Sequence, residues 1–304
     1  MLALAPNRWV WALAVCAAAL FFRTAAYAEC GDLAASGARQ IAIGDRTMLI
    51  RLPAGFDSTR RHPLLFVLHG SNGTGAGFLA RSGLETTSDR HGFIIAAPDG
   101  AIPANGGYAW NIPGVPTVTG KVPTATDPDD VAFITAAVDK LITQACVDPS
   151  RIYATGISGG GRMSSWLACV AADRFAAIAP VVGLRAGNPM RGQTGKPDPA
   201  TCRPSRPVPV ITFAGDKDTT NPVEGGGASY WQYSMHEALD RWAVLNRCSA
   251  APRTRRIASN LTEQRYSGCR AGADVVARMT EGGGHVWVAD NEVMWGFLSR
   301  HHRR

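Results

Sequence analysis

An α/β fold built on one mostly parallel sheet, with helices on both faces, follows from three features of the sequence. Short β-branched or aliphatic runs alternate with longer amphipathic ones from Arg46 onward. A Gly-x-Ser-x-Gly turn, Gly156 to Gly160, sits between one such run and a helical stretch. No linker or internal repeat divides the chain.

Taken in order, the strand candidates are Met48–Leu52, Leu64–His69, Phe93–Ala96, Arg151–Thr155, Ala176–Val181, Val208–Phe213 and Ala273–Met279. The clearest helix is Asp129–Ala145, where Val131, Ile134, Val138, Leu141 and Ala145 form one stripe at helical spacing. The acids between Asp127 and Asp130, with Pro128, mark its N-terminus. Further helices are expected over Gly159–Ala171, Ser234–Asn246 and about Asn291–Arg300. Strands alternating with helices of this length give a parallel sheet covered on both faces. The Gly/Pro-rich stretches Gly100–Pro128 and Arg185–Pro207 lack periodicity and read as surface loops rimming a site.

A chain of 304 residues, 46% hydrophobic and 18% charged, can bury one large core. Its formal charge is +7, and the first 28 residues contain Arg8, Arg23 and no acid. Without them 29 basic residues face 24 acidic ones, a net of +5 spread along the chain. Nucleic-acid binding would need a denser basic run. The cluster Arg300-His301-His302-Arg303-Arg304 reads as a solvated, frayed terminus.

Residues 1–28 have the pattern of a signal peptide. Arg8 supplies the positive start, Trp9 to Phe22 is almost wholly apolar, and Ala26-Tyr27-Ala28 offers a cleavage site. That apolar run of about 14 residues is short of the ~20 that span a bilayer. The mature protein is expected to begin near Glu29, to be secreted or periplasmic, to have no membrane partner, and to be a monomer. Residues 29–304 then form a single domain. Cys16 leaves with the leader, and Cys30, Cys146, Cys169, Cys202, Cys248 and Cys269 remain. An even count in an oxidising compartment predicts three disulfides, for which six cysteines allow 15 pairings. No Cys-x-x-Cys pair supports a metal site, and none is expected.

The chemistry centres on Gly156-Ile157-Ser158-Gly159-Gly160. A nucleophilic serine must project from a tight strand-to-helix turn, and flanking glycines relieve the crowding there. The helix start beneath presents free N–H groups to developing negative charge. The serine needs a base, and the base needs an orienting carboxylate. Val208–Phe213 runs into Ala214-Gly215-Asp216-Lys217-Asp218, and Asp218 is the first choice for the acid, with Asp216 second. His285 follows Gly282-Gly283-Gly284 after the last strand and is the candidate base. The other histidines sit in turns, helix ends or the tail, except His69, which ends a strand and could line the site. The loop His69-Gly70-Ser71-Asn72-Gly73 occupies the place that supplies the second oxyanion amide. The backbone N–H groups of Ser71 and Gly159 are therefore the expected oxyanion hole. This constellation predicts the α/β-hydrolase fold, with no separate lid domain and no cofactor.

From about Cys30 to Phe297 the chain resembles an exported esterase family, that of polyhydroxybutyrate depolymerases and the feruloyl and acetylxylan esterases of carbohydrate esterase family one. The resemblance rests on Leu68-His69-Gly70, Ala97-Pro98-Asp99-Gly100, Trp110-Asn111, Asp129 to Ile134, Val147 to Tyr153, the Ser158 turn and Gly283-Gly284-His285-Val286-Trp287. It implies Ser158, Asp218 and His285 as the triad, and favours Cys248–Cys269 as a disulfide, with Cys169–Cys202 and Cys30–Cys146 after it. Two positions depart from the family. Ala214-Gly215 stands where His-Gly is common, and Ser71 stands where cysteine is common.

The expected reaction is ester hydrolysis through an acyl-enzyme. Tyr108, Trp110, Trp231 and Trp287 suggest an aromatic-rimmed cleft for a hydroxycinnamoyl group, with His69 and Asn111 beside it, although at least half of the eight tryptophans are expected to be core. The substrate would be a hydroxycinnamoylated or acetylated plant polysaccharide, or alternatively a polyester. Polyhydroxyalkanoate hydrolysis ranks second, because little chain follows His285 to carry a polymer-binding domain. A carbohydrate-binding protein on an inactive hydrolase fold ranks last, since no triad member is missing.

Overall fold

The computed structural model describes residues 1–2, 37–124 and 126–303. From residue 3 onward the expected leader lies outside the described residues, as does Cys30. Chain order runs β1 (Gly37–Ile43), β2 (Arg46–Leu52), β3 (His62–Leu68), α1 (Gly75–Ser82), α2 (Leu84–His91) and β4 (Ile94–Pro98). A small hairpin, β5 (Ile102–Ala104) and β6 (Gly107–Ala109), precedes α3 (Asp130–Gln144), β7 (Val147–Ile157), α4 (Gly159–Val170) and β8 (Ala177–Val181). A second hairpin, β9 (Pro189–Met190) and β10 (Gln193–Pro197), leads to β11 (Val210–Gly215) and α5 (Met235–Leu245). The chain closes with β12 (Arg253–Ala258), β13 (Leu261–Tyr266), β14 (Val275–Thr280) and α6 (Asn291–Leu298).

Ten strands make the main sheet in the order β1-β2-β4-β3-β7-β8-β11-β14-β13-β12. Its centre, from β4 to β14, is parallel, and antiparallel pairs extend both edges. The fold is that of an α/β hydrolase. Every residue of β3 is buried, because both faces of the sheet are covered. Leu64, Phe66 and Leu68 join the core under α3, α4 and α5. Leu65 and Val67 join the core under α1, α2 and α6. The period of two in the strand thus feeds two separate layers.

The strand expectations fall on β2, β3, β4, β7, β8, β11 and β14, with ends displaced by a few residues. The sequence reading missed β1, the β12–β13 pair, α1 and α2. The basic tail is also not frayed as far as Arg303. Its N–H donates to Ser150 O (2.8 Å), Arg303 Nη2 donates to Pro149 O (2.9 Å), and Tyr153 Oη donates to His301 O (2.8 Å). The stretch Arg185–Pro207 carries the β9–β10 hairpin, and its first residues are buried rather than superficial.

Cys169 at the end of α4 is bonded to Cys202, and Cys248 to Cys269 across the base of the β12–β13 hairpin. Cys146 is also disulfide-bonded. Sequence separations of 33 and 21 residues remove denatured-state entropy worth about 3–4 kcal/mol per bond. Titration of the denatured, unreduced mature protein is therefore expected to find no free thiol, and reduction to lower the melting temperature by at least 10 °C. Titration of six thiols without reduction would overturn both the framework and the export reading.

Candidate active site

The candidate residues stand at the C-terminal ends of neighbouring parallel strands, where sites of open α/β sheets gather. Ser158 follows β7, Asp218 follows β11, His285 follows β14 and Ser71 follows β3. Ser158 has φ 54° and ψ −113°, a conformation that costs a non-glycine residue about 1–3 kcal/mol. Its N–H donates to Val181 O (2.9 Å), and its carbonyl accepts from Arg162 N (2.9 Å). The turn also needs bare backbone. A Cβ at Gly160 would lie 2.0 Å from Leu68 O, and one at Gly156 would lie 2.6 Å from the same oxygen. This is the physical reason for the glycines on either side of the serine.

His285 bridges the other two residues. Its Nε2 is 2.8 Å from Ser158 Oγ and its Nδ1 is 2.8 Å from Asp218 Oδ2. The second Asp218 oxygen accepts from the N–H groups of Thr220 (2.9 Å) and Asn221 (2.8 Å). Burial pushes the Asp218 carboxyl up, but the bonds from His285 and the two amides, with the imidazole charge, outweigh it and hold the carboxyl below the ordinary range. Asp216, the second choice, points elsewhere and accepts from Gly282 N (2.7 Å). Lys217 N donates to Gly283 O (2.8 Å), and a Cβ at Gly215 would lie 2.2 Å from that oxygen. The acid loop and the histidine loop are thus pressed together backbone to backbone.

Ser71 and Gly159 face one another: a Cβ at Gly159 would be 3.0 Å from Ser71 N. Neither N–H makes a backbone hydrogen bond among the described residues. Two donors beside a serine hydroxyl form the arrangement that stabilises a tetrahedral oxyanion.

Several expected substrate contacts are internal instead. His69 is fully buried: its Nδ1 meets Gly70 O (2.8 Å), and its Nε2 accepts from Gly100 N (2.9 Å). Those partners fix a neutral ring, and burial lowers its pKa. Trp110, 4% exposed, packs its ring at a tilt against His69 and donates its indole N–H to His69 O (2.8 Å). Asn111 is buried and donates its amide to Pro128 O (2.9 Å). Trp231 is buried beneath Arg185. Their N–H donors are spent on loop closure, so they buttress the site, and Trp110 also borders the small cavity beside Ser71 and Gly159. Tyr108 is partly buried and borders a separate cavity with Arg46 and Asp129. Trp287, partly buried, packs edge-on against Phe78 and donates to Asn291 Oδ1 (3.0 Å).

The sequence reading missed two residues beside the site. Asp130, at the first turn of α3, points inward and is fully buried, accepting from Arg46 Nη2 (2.8 Å) and Asn111 N (2.8 Å). It joins β2 to the Trp110 loop, and its signals were a second acid after the capping Asp129 and its place in the Asp129 to Ile134 motif. Arg162, 5% exposed, donates from Nη2 to Ser71 Oγ (3.3 Å).

Activity is expected to fall at least a thousandfold in Ser158→Ala with the melting temperature nearly unchanged, because one hydroxyl is lost. Asp218→Asn is expected to cost about as much, and Asp216→Asn less than tenfold, measured as kcat/KM on one ester with purified variants. Trp110→Ala is expected to lower turnover of methyl ferulate and of an acetyl ester alike, together with several degrees of melting temperature.

Residues 84–186 match the prolyl oligopeptidase family. Feruloyl esterase B of Piromyces equi is 31% identical over 261 residues, 84% of this chain and 45% of that protein. The chain therefore spans about half the length of such relatives. Among solved structures, an acetyl xylan esterase from Aspergillus awamori matches with a TM-score of 0.63 at 17% identity, covering 87% of this chain and 99% of its own. The LpqC poly(3-hydroxybutyrate) depolymerase from Bordetella parapertussis matches with a TM-score of 0.56 at 18% identity, covering 88% and 92%. Topology and solved neighbours agree that this chain has the α/β-hydrolase fold, and its sequence is similar to that of a feruloyl esterase.

Proposed function

We propose that this chain is a carboxylic ester hydrolase that works through an acyl-enzyme on Ser158, exported to the periplasm or beyond, and acting on hydroxycinnamoyl esters of plant polysaccharide. The observation that carries the reading is the continuous pair of 2.8 Å hydrogen bonds from Asp218 through His285 to Ser158. In the first half-reaction His285 Nε2 takes the Ser158 proton as Oγ attacks the ester carbonyl. Asp218 holds Nδ1–H and stabilises the imidazolium, while the Ser71 and Gly159 amides receive the oxyanion. The imidazolium then protonates the leaving alcohol. Water repeats the sequence on the acyl-enzyme and releases the acid. Similarity to a feruloyl esterase favours the hydroxycinnamoyl substrate. The disulfides support export.

An active-site phosphonate is expected to label wild type at Ser158 and to leave Ser158→Ala unlabelled. In parallel assays, turnover of methyl ferulate is expected to exceed that of acetylated xylan and of a hydroxybutyrate polymer film. Labelling with a reversed order would keep the hydrolase and replace its substrate. Absence of both labelling and turnover would remove the enzyme reading.

A further inference from the structure

Two arginines are buried beside the oxyanion loop without an acid to balance them among the described residues. Arg162 is in the first turn of α4 and Arg185 follows β8; they are 5% and 7% exposed. The guanidinium of Arg162 lies 4.2 Å over the Tyr230 ring, and that of Arg185 lies 3.1 Å over Trp231 and 4.3 Å over Tyr233. Arg185 Nη1 donates to Tyr233 O (2.8 Å). Arg162 Nε and Arg185 Nη2 are buried and have no partner. Among the described residues no carboxylate influences either group.

Both side chains line one narrow cavity, with Ile112, Trp166, Asn188 and Tyr230. A second small cavity, bounded by Ser71, Gly159, Trp110, Ile112 and Arg162, adjoins it. Arg162 therefore stands between the oxyanion amides and Arg185. Burial lowers Arg162 to about 10 and Arg185 to about 9, so both remain charged at neutral pH. Burying one unpaired charge is costly, and placing a second cation next to it adds repulsion. Leucine or methionine would fill the same volume against Tyr230 without that cost. What arginine adds is a planar fork of donors suited to a carboxylate.

We propose that Arg162 and Arg185 form a carboxylate-binding subsite beside the oxyanion amides, which selects esters carrying a negative group a few atoms from the scissile carbonyl. The inference rests on the reading of Ser158 as the nucleophile. The carboxylate can come from either side of the ester, as a dicarboxylic acid monoester or as an acid-bearing alcohol such as a uronate.

Two pairs of esters distinguish these sources when hydrolysis is followed by titration of released acid at pH 7. On the acyl side, monomethyl glutarate is compared with its neutral isostere methyl 5-methylhexanoate. On the alcohol side, 4-acetoxybutyrate is compared with 4-methylpentyl acetate. In one pair the anionic ester is expected to have at least tenfold higher kcat/KM, mainly through KM. That ratio should fall at least tenfold in Arg162→Met and recover in part in Arg162→Lys, which restores the charge. A merely structural arginine would change both members of a pair equally and leave the ratio alone.

Hydrolysis of the neutral esters without anionic preference in either pair would overturn the subsite and leave the esterase standing. A preference that survives in folded Arg162→Met would also overturn it. Should Arg162→Met fail to fold, the wild-type ratios and calorimetric binding of glutarate decide. Glutarate bound by a protein that cleaves none of the four esters would keep the subsite and remove the esterase reading.

Discussion

The geometry of the site depends on how closely backbone can approach backbone at the C-terminal rim of the sheet. Leu68 at the end of β3 lies against Gly156 and Gly160, and Gly215 at the end of β11 lies against Gly283. In each case a single added carbon would come within 2.0–2.6 Å of a carbonyl oxygen. Two backbones in contact have no side-chain rotamers between them, so the loops bearing serine, acid and histidine inherit the regularity of the parallel strands. Precision at the triad is in this sense a property of the sheet.

Polar side chains then divide the remaining work. Asp216 and Asp218 are two residues apart, yet one fastens the histidine loop through Gly282 and the other receives the histidine itself. Asp130 does for the Trp110 loop what Asp216 does for the histidine loop, from the opposite side of the site. Its charge is balanced by Arg46, whereas no acid among the described residues balances the charges of Arg162 and Arg185. The carboxylate subsite proposed for the second pair rests on that contrast.

The parallel centre of the sheet was legible because its strands are apolar on both faces. The β12–β13 pair was not, because Arg253, Arg255 and Arg256 make an exposed edge strand look like loop. Its one buried acid, Glu263, is meaningful only once Arg255, Arg265 and Arg278 converge on it from three strands. Helices α1 and α2 were missed for a related reason. One begins Gly-Ala-Gly and the other contains Thr-Thr-Ser-Asp, and each is helical through packing rather than propensity. At the site, order along the chain was enough to select Ser158, Asp218 and His285 for comparison. Side-chain direction was not readable, so buried His69, Trp110 and Asn111 were taken for a rim. The importance of Arg162 depends on what is missing around it, which no local pattern encodes.

The clasp of the C-terminal residues onto the start of β7 has a practical meaning. Ser150, which receives Arg303, and Ser158 belong to the same extended segment, about 26 Å apart at ~3.3 Å per residue. A peptide handle joined beyond Arg303 would leave the molecule at the far end of that segment from Ser158. Protein tethered to a bead or sensor surface by such a handle would present the Ser158 end of the sheet outward, away from the support.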